Sequence, residues 1–156
     1  MRLNEFISLI FATGFGAGYV PKAPGTAGSL MAIPIFWGLS YLNIYIYLFT
    51  LVVIFALSIY VSDFAGKYFN DVDAPNIVID EILGMFITYI PLYFFSVDAI
   101  NLAIGFILFR FFDITKPFPV SSANKIKRPL FVILDDVLAA IYAAIVLTLA
   151  LILRYK

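Results

Sequence analysis

A stretch of 35 residues without a charged side chain, Ala27–Val61, constrains this chain more than any other feature. As a single helix it would be roughly 52 Å long, whereas the hydrocarbon core of a bilayer is only about 30 Å thick. Glycine, serine and asparagine lie near its middle, within residues 38–43. The stretch therefore predicts a tight helical hairpin with a short first arm, Ser29–Leu42, and a second arm, Ile44–Val61, that is long enough to span.

The composition predicts the class of protein. Hydrophobic residues make up 63% of the chain and charged residues only 13%, whereas about a quarter of the residues of a soluble domain are charged. Three further apolar segments follow the hairpin, at Ile82–Val97, Ala99–Ile114 and Val137–Leu153. We expect an all-α integral membrane bundle with about five bilayer segments, folded as a single domain over residues 1–156.

Charges are distributed unevenly along these segments. The N-terminal stretch, Met1–Val20, is interrupted by glycines, and we expect an interfacial or re-entrant helix that leads into a glycine-rich loop. If the chain crosses the bilayer at each of the five segments, eight of the ten basic and nine of the ten acidic residues lie on one side of the membrane. Only Asp98, Arg154 and Lys156 fall on the other. By the positive-inside rule the charge-rich side faces the cytoplasm, provided that the short first arm spans.

Residue types that are missing exclude whole classes of chemistry. The chain has no Cys and no His, so thiolate nucleophiles, zinc–thiolate sites and histidine bases are absent. The formal net charge is zero, which argues against nucleic acid as a partner. Any metal ion should be a hard cation that prefers oxygen ligands.

Four polar clusters meet on the predicted cytoplasmic side. They are the glycine-rich segment with Lys22, Thr26 and Ser29; Asp80–Glu81; Arg110, Asp113 and Lys116; and Asp135–Asp136. The first is either an anion site at a helix N-terminus or a loop in which Thr26 or Ser29 caps a helix. Arg110 and Asp113 share a helix face, as a structural ion pair or as a phosphate ligand beside a metal ligand. Together these groups suit phosphate chemistry with Mg²⁺, although charge-lined transport would look similar.

The four segments together resemble the phosphatidylglycerophosphatase A family. They read GAGYVPKAPGTAGS at 16–29, VIDEILGM at 78–85, FRFFDITKPFP at 109–119 and LDDVLA at 134–139. The resemblance implies an integral membrane protein of bacterial phospholipid synthesis. Together with the charge distribution, it predicts a multi-pass protein of the bacterial inner membrane with its active site facing the cytoplasm. It further implies Mg²⁺-dependent hydrolysis of phosphatidylglycerol phosphate to phosphatidylglycerol and inorganic phosphate. Membrane lipids would be the other partners.

The resemblance carries residue roles to matching positions. Family acids correspond to Asp80, Glu81, Asp113, Asp135 and Asp136, and basic or hydroxyl positions to Thr26, Ser29, Arg110 and Lys116. We expect the catalytic groups to be Asp80, Asp113 and Asp136; the metal ligands Asp80, Glu81, Asp135 and Asp136; and the substrate ligands Lys22, Thr26, Ser29, Arg110 and Lys116. Water would attack directly, with an aspartyl-phosphate intermediate as the open alternative.

Two departures and three rival functions accompany this interpretation. The family usually has a glycine-rich lead into the aspartate pair, where this chain has Lys127–Phe131, and a closing glycine where it has Ala140. A small membrane transporter would use the same charges without releasing phosphate. A membrane scaffold would use the acids only to cap helices. A phosphatase for another lipid phosphate would share the chemistry.

Overall fold

The computed structural model describes residues 3–116 and 128–156 of the chain. Within those ranges the chain is helical and has no β-strand, which confirms the expected all-α class. The helices are α1 (Leu3–Ala12), α2 (Pro24–Leu39), α3 (Ile44–Phe69), α4 (Ile79–Thr88), α5 (Ala99–Thr115) and α6 (Pro129–Arg154), with short 3₁₀ helices at Ala17–Tyr19 and Ile90–Phe94.

The long uncharged stretch folds as two helices joined by a tight turn, as predicted. The helix α3 begins after Asn43, whose side chain accepts a hydrogen bond from the backbone N–H of Tyr45 at 2.9 Å, a typical N-cap. The helix bounds differ from the predicted arms: α2 begins five residues earlier than Ser29 and ends at Leu39 instead of Leu42, and α3 is longer than predicted. The helix α2 begins at Pro24, where proline suits the first helical turn, and α3 continues past Val61 to Phe69.

The third apolar segment is not one continuous helix. The helix α4 ends at Thr88 after ten residues, a length of about 15 Å, or half a bilayer core. Pro91 lies in the 3₁₀ helix that follows. An α-helix that continued through Pro91 would lack one backbone N–H donor, because proline has none. Tyrosine hydroxyls satisfy backbone carbonyls around this break: Tyr47 donates to Phe86 at 2.7 Å, and Tyr89 to Leu102 at 2.8 Å.

Among the described residues, two helices, α3 and α6, are long and apolar enough to cross a membrane by length and composition. Each has 26 residues, and their most apolar windows have mean hydropathies of 2.4 and 2.5. Only 22% and 33% of those windows are buried inside the protein, whereas the core helix of a soluble protein would be mostly buried. These exposed apolar faces indicate a membrane-associated protein.

The short helix α4 lies at the centre of the fold, in contact with α2, α3, α5 and α6. Glycines allow its neighbours to approach closely. A β-carbon on Gly84 would collide with the ring of Phe109 on α5 and lie 3.4 Å from the carbonyl oxygen of Asp136 on α6. This packing brings the first turn of α4 beside the ends of α2, α5 and α6 that carry the predicted site residues.

Candidate metal and phosphate site

Three carboxylates form the centre of the candidate site. Asp80, Glu81 and Asp136 each offer an oxygen atom, and these atoms lie within 4.8 Å of one another. Asp80 and Asp136 are only 6% and 5% exposed. Oxygen Oε2 of Glu81 is buried without a hydrogen-bond partner among the described residues. The cluster can therefore hold a metal ion, which would satisfy the orphaned oxygen and offset the buried negative charge.

Burial also changes the acidity of the two carboxyl groups on α4. It raises the pKa of the Glu81 carboxyl well above its usual range, and the charges of Asp80 and Asp136 raise that pKa further. Burial likewise raises the pKa of Asp80, although hydrogen bonds, including one from the Glu81 N–H at 3.2 Å, oppose that shift. Bringing negative charges together away from water is costly unless a cation accompanies them.

Arg110 and Asp113 form an ion pair beside this cluster. Nη1 of Arg110 lies 2.6 Å from Oδ2 of Asp113, and the two side chains are 17% and 11% exposed. Asp113 also lies beside Asp136. The ion pair, which was one of the two alternatives from the sequence, is present, but it does not use the whole guanidinium group. Nε of Arg110 is buried without a partner among the described residues and remains available to an anion.

A second ion pair joins Lys116 to Asp135. Lys116 follows α5 in the left-handed conformation, with φ 42°, and its ammonium group pairs with Oδ2 of Asp135 on α6. Burial lowers the pKa of Lys116, but the hydrogen bond and charge of Asp135 outweigh burial and leave that pKa raised. The structure thus places Asp135 on a lysine and not in the three-carboxylate cluster, where the sequence predicted it as a metal ligand.

The N-terminal end of α2 completes the site. Ser29 donates to the carbonyl oxygen of Gly25 at 2.8 Å and accepts from Nη1 of Arg110 at 3.5 Å. Thr26 and Ser29 both lie inside α2, so neither is its N-cap, which was one of the alternatives that the sequence left open. The cap position is Ala23, without a side-chain hydrogen bond, because the helix begins earlier than predicted, at Pro24.

The glycine-rich loop before α2 contacts the protein through its own backbone. The N–H groups of Gly14, Gly16 and Gly18 donate to carbonyl oxygens at residues 11–13, and Asn76 donates to Gly18 at 3.0 Å. Lys22 is exposed, with φ 71°, and it takes part in none of the four ion pairs formed by described residues. Among the described residues, neither Lys22 nor Thr26 has a hydrogen bond or ion pair to the cluster, whereas Ser29, Arg110 and Lys116 each contact a charged group of the site.

One site residue escaped the sequence reasoning. A β-carbon on Gly25 would collide with Oε1 of Glu81 and lie 3.3 Å from Nη1 of Arg110. Gly25 thus lets α2 approach the carboxylate and the guanidinium at once. The Pro-Gly pair at the start of α2 was visible, but glycines in a glycine-rich segment gave no reason to single this one out. Residues 117–127 lie outside the described residues, so the departure at Lys127–Phe131 is described only from residue 128 onward.

Comparison with known proteins gives a family match over most of the chain. Residues 10–151 match the family described as Phosphatidylglycerophosphatase A. A phosphatidylglycerophosphatase A of Haemophilus influenzae is 38% identical over 142 residues, covering 88% of this chain and 84% of that protein. A phosphatidylglycerophosphatase A of Escherichia coli is 32% identical over 136 residues, covering 86% and 78%.

A third relative carries a different name. A Bacteroides thetaiotaomicron protein, provisionally named a phosphatidylinositol-3-phosphatase, is 33% identical over 161 residues and covers 96% of this chain and 97% of its own length. No solved structure matches the chain.

Proposed function

Because this chain belongs to the phosphatidylglycerophosphatase A family, we propose that it hydrolyses phosphatidylglycerol phosphate to phosphatidylglycerol and inorganic phosphate with Mg²⁺. The chain is a phosphatase, an enzyme that hydrolyses phosphoric monoesters. The observation that carries the proposal is the three-carboxylate cluster of Asp80, Glu81 and Asp136. Beside it lies Arg110, whose Nε has no partner among the described residues.

The residues of the site suit Mg²⁺. All the donors are carboxylate oxygens, which Mg²⁺ prefers, and the five carboxylates of the site outnumber its two cationic side chains. Asp80, Glu81 and Asp136 would hold the ion. When bound there, Mg²⁺ would polarise a phosphoryl oxygen and neutralise charge in the transition state. The isolated Oε2 of Glu81 supports this assignment independently of the family.

The phosphate would bind between Arg110 and the first turn of α2. The free Nε of Arg110 offers a charged donor, and the N–H groups at the start of α2 supply positive potential. Ser29 would position the guanidinium through its hydrogen bond, and Lys116 would add charge from the opposite side. Lys22, three residues before Gly25, would reach the outer part of the headgroup, and Thr26 would line it.

Hydrolysis then requires one proton to be removed and one to be returned. A carboxylate, for which Asp113 is our choice because it lies beside Asp136, would take a proton from the attacking water. The water oxygen would bond to phosphorus as the ester bond breaks. The lipid alcohol would take up a proton and leave as phosphatidylglycerol, and phosphate would remain in the site.

We also propose that the protein is a multi-pass protein of the bacterial inner membrane, with about five bilayer segments and the site at the cytoplasmic face. The lengths of α3 and α6 support it. The distribution of charged residues also supports it. Asp98 and Arg154 pair at 3.3 Å at the end of the bundle that lies away from the candidate site. The short helix α4 would count as a segment only together with the 3₁₀ helix after it.

A phosphoinositide phosphatase is the second candidate function. The Bacteroides thetaiotaomicron relative favours it, since its coverage is nearly complete and its identity similar to that of the others. Both candidate reactions hydrolyse a phosphomonoester on a lipid headgroup, so the cluster and Arg110 would serve either.

The deciding experiment measures phosphate release by purified protein in detergent. We expect release from phosphatidylglycerol phosphate that depends on Mg²⁺ and stops with a chelator, and slower release from phosphatidylinositol 3-phosphate. The reverse order of rates would favour the second candidate. No release from either lipid by folded protein would contradict the proposal and favour a transporter or scaffold.

A matched pair of variants tests the metal assignment. Asp136→Asn removes a carboxylate of the cluster, whereas Asp135→Asn removes its neighbour, which pairs with Lys116. We expect Asp136→Asn to lower kcat by about 100-fold or more and to raise the Mg²⁺ concentration needed for half-maximal rate. Asp135→Asn should lower the rate with little change in that concentration. Equal shifts in Mg²⁺ dependence would mean that Asp135 is also a ligand.

A further inference from the structure

An apolar groove opens on the outside of the bundle next to the candidate site. It is shallow and open along the helix surfaces, with a volume of about 340 Å³. Its lining consists of apolar side chains from α3, α4 and α6, including Leu48, Val52, Phe55, Leu83, Ile87 and Val137. The groove therefore suits a hydrocarbon chain.

The groove continues from the carboxylate cluster along α4. Leu83 and Ile87 follow Asp80 by three and seven residues, so the three side chains share one face of the helix. On α6, Val137 follows Asp136 directly. The wall on α3 runs antiparallel to α4, because Tyr47 near the start of α3 donates to Phe86 near the end of α4. Phe55 accordingly lies toward the cluster and Leu48 toward the other end of α4.

We propose that this groove seats one acyl chain of the lipid phosphate substrate while the phosphate lies at the cluster. The inference rests on the proposed function. The apolar cavity lined by Phe11, Gly14 and Ile82 fits less well, because it lies on the opposite face of α4 from Asp80. A seated chain aligns the headgroup, because the reacting phosphate and the chain are parts of one molecule held at two points.

The test fills the groove and compares two substrates. Val52→Trp adds bulk to a groove residue that is 66% exposed, so folding should survive; Val53→Trp is the control, because Val53 is 49% exposed on the same helix but does not line the groove. The substrates are dioleoyl phosphatidylglycerol phosphate and its deacylated headgroup. For Val52→Trp we expect the kcat/KM of the dioleoyl substrate, divided by that of the deacylated headgroup, to fall about tenfold. For Val53→Trp the ratio should stay as in the unaltered protein.

Equal ratios in the two variants would overturn the proposal, since both residues would then contact only bulk lipid. A second measurement serves if the deacylated headgroup reacts too slowly. A photoreactive acyl chain on phosphatidylglycerol should label Val52 or Val137, and excess unlabelled substrate should reduce that labelling, but not labelling at Val53. Labelling at Val52 that excess substrate leaves unchanged would also overturn it. In either case Mg²⁺-dependent phosphate release would still stand, so failure here differs from failure of the proposed function.

Discussion

Arg110 links the start of α2 to a carboxylate of the candidate site. Its guanidinium pairs with Asp113, donates to Ser29 and lies close to Gly25, and its Nε has no partner among the described residues. A planar group with several donors can serve a carboxylate and a phosphate together. A lysine at this position would offer one charged point and could not do both. A substitution of Arg110 can therefore show whether this arginine is only the ion-pair partner of Asp113 or also a ligand of the substrate.

Replacing this arginine tests that distinction. We expect Arg110→Lys to lower kcat/KM for the lipid substrate by about 10- to 100-fold, because the second donor is lost. Arg154→Lys is the matched control, since Arg154 bonds Asp98 and Asn101 at the far end of the bundle. It should leave kcat/KM within about threefold of the unaltered enzyme. If Arg110→Lys has normal kinetics, the arginine is only a structural partner of Asp113.

At the scale of the helices, close approach between α2 and α4 sets the geometry of the site. Gly25 on α2 meets the Glu81 side chain, and three residues later Gly28 meets Val78, just before α4 begins. Small residues at a helix contact let the backbones approach each other closely in membranes. The two helices thereby bring the anion-binding end of α2 against the carboxylates of α4.

A pair of glycine substitutions on α2 tests this contact. Gly25→Ala should displace Glu81 and Arg110 and lower kcat by about tenfold or more, because a shift of roughly 1 Å disturbs the reacting geometry. Gly38→Ala is the control, since nothing lies within 4 Å of its added β-carbon and alanine favours helix. It should retain activity and thermal stability. Normal activity of Gly25→Ala, with normal Mg²⁺ dependence, would show that α2 does not position the cluster.

Over the whole molecule, polar groups collect at two ends that have different characters. One end holds the five carboxylates, Arg110 and Lys116. The other holds a hydrogen-bonded network in which the buried Asn101 contacts Ser96, Asp98 and Tyr155. This second network ties the start of α5 to the end of α6. Its donors and acceptors largely satisfy one another, in contrast with the orphaned atoms at the first end.

The orientation of these two ends in the membrane can be measured directly. The chain contains no cysteine, so a single introduced thiol is unambiguous. Lys67→Cys, whose lysine is 74% exposed near the site end, should react with a membrane-impermeant maleimide only in inside-out vesicles. Lys156→Cys, beyond the end of α6, should react only in right-side-out vesicles. Both variants should keep phosphatase activity, which is the control for folding; the opposite pattern of labelling would place the site outside the cytoplasm.

Much of the architecture could be predicted from the chain itself. The uncharged run and its polar middle predicted α2, the turn and α3, since helix length and bilayer thickness allow few alternatives. Threading the segments put Asp98 and Arg154 on one side, and the structure pairs them. The helix boundaries were less predictable, because Pro24 and Pro91 act through local backbone geometry that hydropathy does not contain.

Pairing within the site was decided only by the tertiary structure. Asp135 and Asp136 are adjacent and chemically alike, so the sequence assigned both to metal. Successive residues on a helix point about 100° apart, and the packing of α6 against α4 and α5 therefore directs Asp136 to the cluster and Asp135 to Lys116. Composition and charge determined which groups share an end of the molecule; the rotation and close approach of the helices determined which of them touch.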